Sequence, residues 1–451
     1  MGLALLKQTD AQQKTIIVGL GKTGLSCARF LAREGCDVLV VDSRAEPPGI
    51  QVLRDELPDV EIRLGAFDSA LFKLADMLVV SPGVSLRAPA IAVAVEAGVE
   101  VVGDVELFAR HANAPVVAIT GSNGKSTVTM LIGEMAQAAG KDVRVGGNIG
   151  TPALDLLQAN EPDLYVLELS SFQLETTLSL KAEVAVVLNV SQDHLDRYHN
   201  MQEYAEAKYR IYNGATHKFV NLDDPVVAKW QGDAGWHGFS LSTPESETDF
   251  GLIERNGQAW LAKGEACLML ASELKLTGRH NVANALAALA LGGSVGLNMA
   301  SMLETLRRFA GLPHRCQWLA KHNGVNWYND SKATNVGAAV AAVNGMPGKV
   351  VLLAGGEGKG QDFSALKTAL ASNGRAAIVF GRDADLLAQS IDKAVPVHRV
   401  ATLKQAVEMA SRVAQEGDAV LLAPACASFD MFSSYEERGN QFAAAVAEVL
   451  A

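Results

Sequence analysis

The sequence predicts an α/β protein of three domains, in which a central parallel sheet of the P-loop ATPase type, with a small β extension, lies between two Rossmann-like domains. Short runs of Val, Ile and Leu are each followed by a small-residue loop and a helical pattern, as in parallel sheets buried on both faces. The chain of 451 residues, 49% of them apolar, has room for about three domains. Joins near Gly103 and residues 311–313 give predicted domains 1–103, 104–311 and 312–451.

The first block contains predicted strands in KTIIVGLG, DVLVVDSR, DMLVVSPG and VEVVGD. A full G-x-G-x-x-G motif at residues 19–24 follows the first strand, and Asp42 ends the second. This pattern is typical of dinucleotide binding, with glycines for close approach, a helix N-terminus for phosphate and an acid for ribose. Three interpretations stay open on the pattern alone. They are an NAD or FAD site, a glycine turn that only packs strand on helix, and a site for another nucleotide completed by Ser43, Arg44 and the 81–83 loop.

The second block contains predicted strands in PVVAITGSNGKST, DLYVLELSS, AEVAVVLNVSQDH and HKFVNLDD. TGSNGKST at residues 120–127 predicts a phosphate loop, although the full Walker A spacing would place glycine at Ile119. Backbone N–H groups and the start of the next helix would cradle phosphate oxygens. Lys125 would neutralise phosphate charge, and Ser126 or Thr127 would ligate Mg²⁺. The apolar spacing after this loop predicts a helix that stops at Gly140.

Acidic and histidine side chains follow the next two strands of this block. Glu168 ends one strand, and Asp193 and His194 follow the other. Because parallel strands deliver their carboxyl ends to one sheet edge, these groups are expected beside the phosphate loop, where they suit a second divalent cation or a substrate carboxylate. Zinc is disfavoured, since no Cys or paired His completes a tetrahedral set.

The rest of the second block gives weaker signals. Lys208 lies in the predicted helix EAKYRIY and, from spacing alone, is expected to be solvent-exposed. Asn281 and Asn284 open an apolar helix that should be buried; each is either a helix cap, the favoured interpretation, or a group that recognises a base edge. The charged, turn-rich stretch 240–276 predicts a small β meander.

The third block carries polar loops after its predicted strands in VNWYN, VVLLA and AVLLA, and a fourth predicted strand lies in AAIVFGR. The loops are DSKATN at 330–335, GGEGKG at 355–360 and PACAS at 424–428. These loops contain Lys332 and Lys359. With Arg44 and Lys125 from the first two blocks, and Arg315 from the join near residues 311–313, they supply five cations for anionic ligands. The alternative for Lys332 and Lys359 is that they are surface lysines in flexible loops.

Composition excludes several classes of protein. A formal net charge of −11 disfavours nonspecific nucleic-acid binding. Five scattered cysteines without C-x-x-C spacing argue against a disulfide framework and for a reducing compartment. The N-terminus lacks the pattern of a secretory signal, and no uncharged apolar run reaches the roughly 20 residues of a membrane span. We therefore expect a cytoplasmic protein without membrane insertion.

Taken together, the motifs resemble those of the Mur ligase family, ATP-dependent enzymes that form amide bonds in peptidoglycan precursor synthesis. The resemblance covers essentially the whole chain. It rests on TGSNGKST, GGNIG, LELSSFQLE, NVSQDHLDRY, EAKYRIY, RHNVANALAAL, GLPHR, NDSKATN, GGEGKGQDF and PACASFDMF followed by YEERG. The opening GLGKTGLS, with VDSR and SPG, looks most like the branch that adds D-glutamate.

The resemblance implies three groups of ligand-binding residues. The UDP part of a UDP-N-acetylmuramoyl-L-alanine (UDP-MurNAc-L-Ala) substrate would contact Thr23, Asp42, Ser43, Arg44, Ser81 and Gly83, and its muramoyl-alanine part Asn148, Ser170, Gln173 and His194. ATP would contact Gly121, Ser122, Asn123, Gly124, Lys125, Ser126, Thr127, Asn281, Asn284, Arg315, Asp330 and Lys332. D-glutamate would contact Thr334, Lys359, Ser428, Phe429 and Tyr435.

The resemblance also implies the reaction and its metal ions. The substrate carboxylate would attack the γ-phosphate of ATP, and the D-glutamate amine would attack the resulting acyl phosphate. The catalytic residues would be Lys125, Glu168, His194 and Lys208. Two Mg²⁺ sites would use Ser126, Glu168, His194 and Lys208, with Lys208 carbamylated and therefore acidic, which reverses the expectation from spacing. The partners would be small molecules only, and the protein a monomer.

Other functions stay open at this level. Within the family, the alternative is a ligase that adds a different amino acid, or a relative of folylpolyglutamate synthase. A dinucleotide-dependent oxidoreductase explains the first 100 or so residues but leaves TGSNGKST unexplained. A P-loop scaffold that binds ATP without chemistry is disfavoured by the second set of Gly and Lys loops in the third block.

Overall fold

Three β-sheets, each built from one continuous stretch of chain and covered by helices, form the protein. The computed structural model describes residues 14–193, 197–232, 234–276 and 278–450. The mixed α/β class with largely parallel sheets agrees with the sequence prediction. In the described ranges, no helix combines the length and apolar character that a membrane crossing requires.

The first sheet has the order β3-β2-β1-β4-β5 and is parallel throughout. Its strands are β1 (Lys14–Val18), β2 (Asp37–Asp42), β3 (Glu61–Leu64), β4 (Met77–Val80) and β5 (Glu100–Val102), and its helices are α1 (Lys22–Arg33), α2 (Ile50–Glu56), α3 (Ser69–Lys73) and α4 (Pro89–Glu96). Helix α5 (Asp104–His111) follows β5 and packs mainly against the 3₁₀ turn Ala153–Leu156 of the central region. Strand β1 is flanked by β2 and β4, so the loops that follow these three strands meet at one edge.

The second sheet has the order β14-β13-β12-β11-β10-β9-β6-β8-β7. Its strands are β6 (Val116–Thr120), β7 (Val143–Gly147), β8 (Leu164–Glu168), β9 (Val184–Val187), β10 (His217–Asn221), β11 (Trp236–Phe239), β12 (Phe250–Arg255), β13 (Gln258–Lys263) and β14 (Ala266–Leu270). Strands β12 to β14 pair antiparallel, which confirms the predicted meander, and the other pairs are parallel.

Helices of the central region place the phosphate loop and bury one long apolar segment. They are α6 (Lys125–Ala138), α7 (Ser171–Glu175), α8 (Met201–Tyr209), α9 (Arg279–Ser294) and α10 (Met299–Arg308), with short 3₁₀ turns at Ala153–Leu156, Arg210–Tyr212, Ala228–Trp230 and Ala271–Glu273. Helix α6 ends just before Gly140, which has a positive φ of 77°, as predicted. Residues 284–292 of α9 are buried, which confirms the predicted buried helix.

The third sheet has the order β15-β16-β20-β17-β18-β19, and only its β15–β16 pair is antiparallel. Its strands are β15 (Gln317–His322), β16 (Val325–Asn329), β17 (Val350–Gly355), β18 (Gly374–Phe380), β19 (Val397–Arg399) and β20 (Ala419–Leu422), and its helices are α11 (Val336–Gly345), α12 (Ser364–Asn373), α13 (Ala384–Ile391), α14 (Leu403–Val413) and α15 (Tyr435–Leu450). Strand β20 lies between β16 and β17, which brings the three predicted polar loops together.

Candidate active site

A pocket of about 640 Å³ lies at the carboxyl edge of the first sheet and extends to the second. Its walls contain most of the residues predicted for the UDP-linked substrate, namely Thr23, Asp42, Ser43, Arg44, Ser81, Gly83, Asn148 and Gln173. The tight turn at residues 19–24 shapes one wall. A Cβ on Gly24 would lie 1.9 Å from the Gly19 carbonyl oxygen, so glycine is needed for the first helix to start this close to the strand.

Asp42 organises the floor of this pocket. Its carboxylate accepts hydrogen bonds from the backbone N–H of Leu20 at 2.7 Å and from the guanidinium of Arg44 at 2.7 and 2.9 Å. Burial opposes ionisation, but these donors outweigh it and lower the pKa of Asp42 to about 2. The carboxylate is therefore ionised at neutral pH and holds Arg44 at the pocket rim.

Side chains of the second sheet close the far end of the pocket. Gln173 donates from Nε2 to buried Asp104 at 3.0 Å and accepts from the backbone of Ser170 at 3.1 Å. Ser170 caps α7 and contacts the same glutamine. Asn148 donates to Glu168 Oε1 at 2.8 Å, so the pocket reaches the residues around the phosphate loop.

The phosphate loop has the expected strand–loop–helix geometry. Gly124 caps α6 with φ 84°, and a Cβ there would lie 2.5 Å from Asn284 Oδ1. Lys125 is the first residue of α6, and its Nζ donates to the carbonyls of Gly121 and Ser122 at 2.8 and 3.1 Å. Its ammonium group thus lies beside the helix N-terminus, where phosphate oxygens bind.

Three parts of the chain converge on the Ser126 hydroxyl. Its Oγ donates to Glu168 Oε2 at 2.5 Å and accepts from Arg315 Nη2 at 2.5 Å. The Ser126 hydroxyl and the Glu168 carboxylate are hard oxygen donors of the kind that Mg²⁺ prefers, so they fit the predicted metal site. In the described ranges, no cluster of three His, Cys, Asp or Glu side chains has the arrangement of a metal centre.

Lys208 is buried in the same place, and the prediction of a solvent-exposed lysine was wrong. The residue is 2% exposed, and its Nζ donates to the Gly121 carbonyl at 3.0 Å and lies 4.5 Å from the centre of the Tyr204 ring. Burial lowers the pKa of this amine well below its usual value, and the charge of Lys125 lowers it further, against the opposing effect of Asp193 and Glu168. The Tyr204 hydroxyl of α8 also lies 3.2 Å from Ser122 Oγ of the phosphate loop, so this face of α8 lies against the loop and the lysine is covered.

A second cavity, of about 360 Å³, lies next to the phosphate loop between the central and third sheets. Its lining includes the predicted nucleotide-binding residues Asn123, Gly124, Thr127, Asn281, Asn284, Arg315, Asp330 and Lys332. The favoured interpretation of the two asparagines as helix caps was wrong, because Gly278 occupies the N-cap of α9. The two instead lie inside the helix, joined by a hydrogen bond of 3.1 Å, and line the cavity.

The third domain contributes titratable groups to this cavity. Asp330 is buried and accepts a hydrogen bond from the Cys316 thiol at 3.3 Å; burial raises its pKa to about 6. Lys332 lies 3.8 Å from the centre of the Tyr435 ring. Burial and the charges of Arg315 and Lys125 lower the pKa of Lys332 to about 8.

The residues predicted for D-glutamate lie on loops at the carboxyl edge of the third sheet. Thr334 follows β16, Lys359 follows β17, and Ser428 and Phe429 follow β20, while Tyr435 begins α15. Backbone pairing of Glu357 with Ala427 joins two of these loops. Ser428 is buried and Phe429 is 71% exposed.

One predicted residue, His194, lies outside the described residues. Its neighbour Asp193 is buried and accepts a hydrogen bond from Asn335 at 3.2 Å. Asn335 also donates to Asn123 of the phosphate loop at 3.3 Å. The sequence did not predict this contact between the third domain and the loop. It also did not predict that Cys316 and His280 line the cavity, because neither residue belongs to a recognisable spacing pattern.

Family models match the chain in three consecutive segments. They are the MurD-like N-terminal domain of Mur ligases over residues 13–103, the Mur ligase middle domain over 119–292 and the glutamate ligase domain of Mur ligases over 314–426. The chain therefore belongs to the Mur ligase family, as its motifs suggested.

Its similarity is high to relatives named UDP-N-acetylmuramoylalanine–D-glutamate ligase. The chain is 54% identical to that of Nitrosococcus oceani, with 98% of each chain covered, and 56% identical to that of Pseudomonas aeruginosa, with 96% of this chain and 98% of the relative covered. Among solved structures, a pseudomurein peptide ligase type C from Methanothermus fervidus has a TM-score of 0.62 at 20% identity, covering 98% of this chain and 100% of that one. The UDP-N-acetylmuramate–alanine ligase of Thermotoga maritima has a TM-score of 0.61 at 20% identity, with 96% and 99% covered. These two share the fold.

Proposed function

We propose that this protein is an ATP-dependent ligase that joins D-glutamate to UDP-MurNAc-L-Ala through an acyl phosphate, in peptidoglycan precursor synthesis. One observation carries the proposal. The Ser126–Glu168–Arg315 cluster lies between two pockets, and Asn148, which lines the first, bonds the same Glu168. An acid in the first pocket and a nucleotide in the second would thus meet at the phosphate loop. The names of the relatives supply the identity of the substrates.

The first step is phosphoryl transfer to a carboxylate. A carboxylate is a poor acylating agent, so the γ-phosphate of ATP is transferred to the C-terminal carboxylate of the precursor, and ADP leaves. Two anions must approach each other, and Lys125 at the start of α6 reduces their repulsion. Arg315 reaches the same point from the third domain. Mg²⁺, when bound, supplies further charge neutralisation for the phosphates.

In the second step, the amine of D-glutamate attacks the acyl carbon. A tetrahedral intermediate forms, the new C–N bond is completed as the C–O bond to phosphate breaks, and inorganic phosphate leaves with the proton that the amine loses. The residues proposed to hold D-glutamate are Thr334, Lys359, Ser428, Phe429 and Tyr435. Their position on loops of the third domain requires that domain to stay closed on the phosphate loop, and the contacts of Asn335 with Asn123 and Asp193 provide this closure.

Lys208 is proposed to act as a carbamate in the second of two metal sites. Only the neutral amine reacts with CO₂, and burial beside Lys125 favours the neutral form. Carbamylation would turn a buried neutral amine into a carboxylate-like anion, which suits Mg²⁺. Glu168 would share this site, and His194 is assigned to it from the family motif. The first site would use Ser126 and Glu168.

The domain boundaries after residues 103 and 311 and the monomeric state belong to the same proposal. The two candidate pockets and the Ser126–Glu168–Arg315 cluster draw on residues of all three predicted domains. ATP and nucleotide-activated sugars are compounds of the cytoplasm, where we place the reaction.

A panel of amino acids tests the assignment. The purified protein is mixed with ATP, Mg²⁺ and UDP-MurNAc-L-Ala, and phosphate release is followed with each amino acid, including both glutamate enantiomers. D-glutamate should support turnover and L-glutamate should not. Turnover with a different amino acid would indicate another ligase, and a change in NADH fluorescence on mixing would support the oxidoreductase alternative. If D-glutamate prompts no ATP consumption, the proposal fails.

A further inference from the structure

Arg197 connects the wall of the precursor pocket to the central domain. Its Nη1 donates to the Pro82 carbonyl at 3.2 Å, and its Nη2 donates to the Val84 carbonyl at 2.9 Å and to Glu175 Oε2 at 3.4 Å. The guanidinium carbon lies 4.5 Å from the centre of the Phe172 ring. The side chain is only 14% exposed, so these contacts are shielded from water.

The loop that Arg197 holds forms part of the pocket of about 640 Å³. Residues 81–84 line this pocket beside the glycine turn at 19–24. Ser81 Oγ donates to the Gly19 carbonyl at 2.9 Å, so the loop and the turn move as one wall. Their distance from the central domain depends on what ties the loop to that domain, and Arg197 makes two such bonds.

The geometry needs an arginine. A planar guanidinium can stack on an aromatic ring while its separate N–H groups reach two carbonyls and a carboxylate. A lysine ammonium keeps the charge but has a single donor atom, which cannot occupy these positions together. The carbonyls of Pro82 and Val84 carry no charge, so the contact fixes position without adding a charge pair to the pocket wall.

The backbone of Arg197 is itself linked, through Arg87, to helix α8. Arg87 donates from Nη1 to the Arg197 carbonyl at 3.3 Å and from Nη2 to Glu203 Oε2 at 2.8 Å. Glu203 lies in the first turn of α8, and Lys208 lies in its last turn. A chain of direct contacts therefore joins the 81–84 loop to the helix that carries the buried lysine.

We propose that Arg197 is a positioning residue for the UDP-linked substrate, which holds the 81–84 loop at the spacing from the central domain that the bound precursor requires. The proposal rests on the proposed function for the identity of that substrate. It concerns binding, because Arg197 acts through the loop and the reacting atoms lie beyond it.

Steady-state kinetics of Arg197→Ala provide the main test. Losing charge-assisted hydrogen bonds to the loop should raise KM for UDP-MurNAc-L-Ala about tenfold or more. The value of kcat should change by less than about threefold, and KM for ATP and D-glutamate by less than about twofold. R197K should give an intermediate KM for the precursor. A purely structural role would instead reduce the active fraction, which lowers kcat and leaves every KM unchanged.

Arg210→Ala is the matched control. Arg210 donates to the backbone carbonyl of the same Glu175 at 3.1 Å and, among the residues that the structure describes, has no hydrogen bond to the 81–84 loop. Its removal should therefore leave KM for the precursor unchanged. Calorimetric titration of the full chain with UDP alone, at fixed pH and salt, gives a readout independent of turnover. Weaker UDP binding in R197A supports the inference, and equal binding with an unchanged KM overturns it. If the wild type binds UDP but releases no phosphate with D-glutamate, the proposed function fails while the UDP titration still decides the role of Arg197.

Discussion

Replacing Lys208 with alanine removes a buried amine from the centre of the reaction site. The side chain is 2% exposed, and its Nζ lies 3.0 Å from the carbonyl oxygen of Gly121 in the phosphate loop. If the amine is carbamylated, a neutral group becomes one of charge −1 beside Lys125. Loss of a group that stabilises transferring charge in a water-poor site costs about 10²–10³ in kcat, and we expect a loss in that range.

The assay is phosphate release with saturating ATP, precursor and D-glutamate. Acetate or formate should restore part of the activity of Lys208→Ala, because a small carboxylate fits where the carbamate was. After equilibration with ¹³C-labelled bicarbonate, a carbamate signal should appear in the NMR spectrum of the wild type and be missing from the variant. Lys229→Ala, on an exposed lysine, controls for loss of a charge and should stay active. A fully active Lys208→Ala protein would refute the assignment.

Three further predictions concern single side chains. Lys125→Ala should lower kcat/KM for ATP by about 10³, whereas exposed Lys141→Ala should not; substantial residual turnover would contradict the phosphate-loop assignment. Burial lowers the pKa of Lys332 to about 8, so the side chain loses its charge as the pH rises above that value. The kcat/KM for ATP should fall in the same range. K332R, which stays charged, should flatten the dependence of kcat/KM on pH. Arg438 is fully buried and donates to Ser331 and to the Cys426 carbonyl. Arg438→Ala should therefore lower the free energy of unfolding by about 3 kcal/mol. An unchanged midpoint of urea unfolding would count against this.

The fold was predictable where burial leaves a clear pattern. Runs such as VVAIT and VVLLAG are buried on every residue, and such apolar runs identified the central strands of all three sheets. The strands that were not predicted lie largely at sheet edges. Strand β3 (Glu61–Leu64) has the sequence EIRL and no fully buried residue, and β15 (Gln317–His322) is similar. Exposure removes the apolar signal, so these strands form through pairing with a neighbour that local sequence does not reveal.

The site was predictable only in part, for a related reason. The phosphate loop and the Glu168 strand end have local signatures, because backbone geometry and strand direction determine where they point. Lys208 has none, since α8 is polar in sequence and the burial of this lysine depends on the loop it packs against. Only the family resemblance predicted a role for it in the site. Arg197 contacts residues 115 and 113 positions away, and no spacing pattern encodes a contact between separate domains.

The site concentrates positive charge within a protein of net charge −11. Burial is the largest cause that lowers the pKa of Lys125, Lys208 and Lys332, and neighbouring positive charges lower these pKa values further. Arg315 acts on Lys125, Lys125 acts on Lys208, and both act on Lys332. Neighbouring positive charges repel each other, and this repulsion raises the energy of the site when no anion lies between them. A polyphosphate lying among these groups relieves the repulsion in all of them at once, whereas a neutral ligand relieves none. The same repulsion favours a neutral Lys208 amine, the form that reacts with CO₂, so the arrangement that attracts ATP also prepares the lysine for carbamylation.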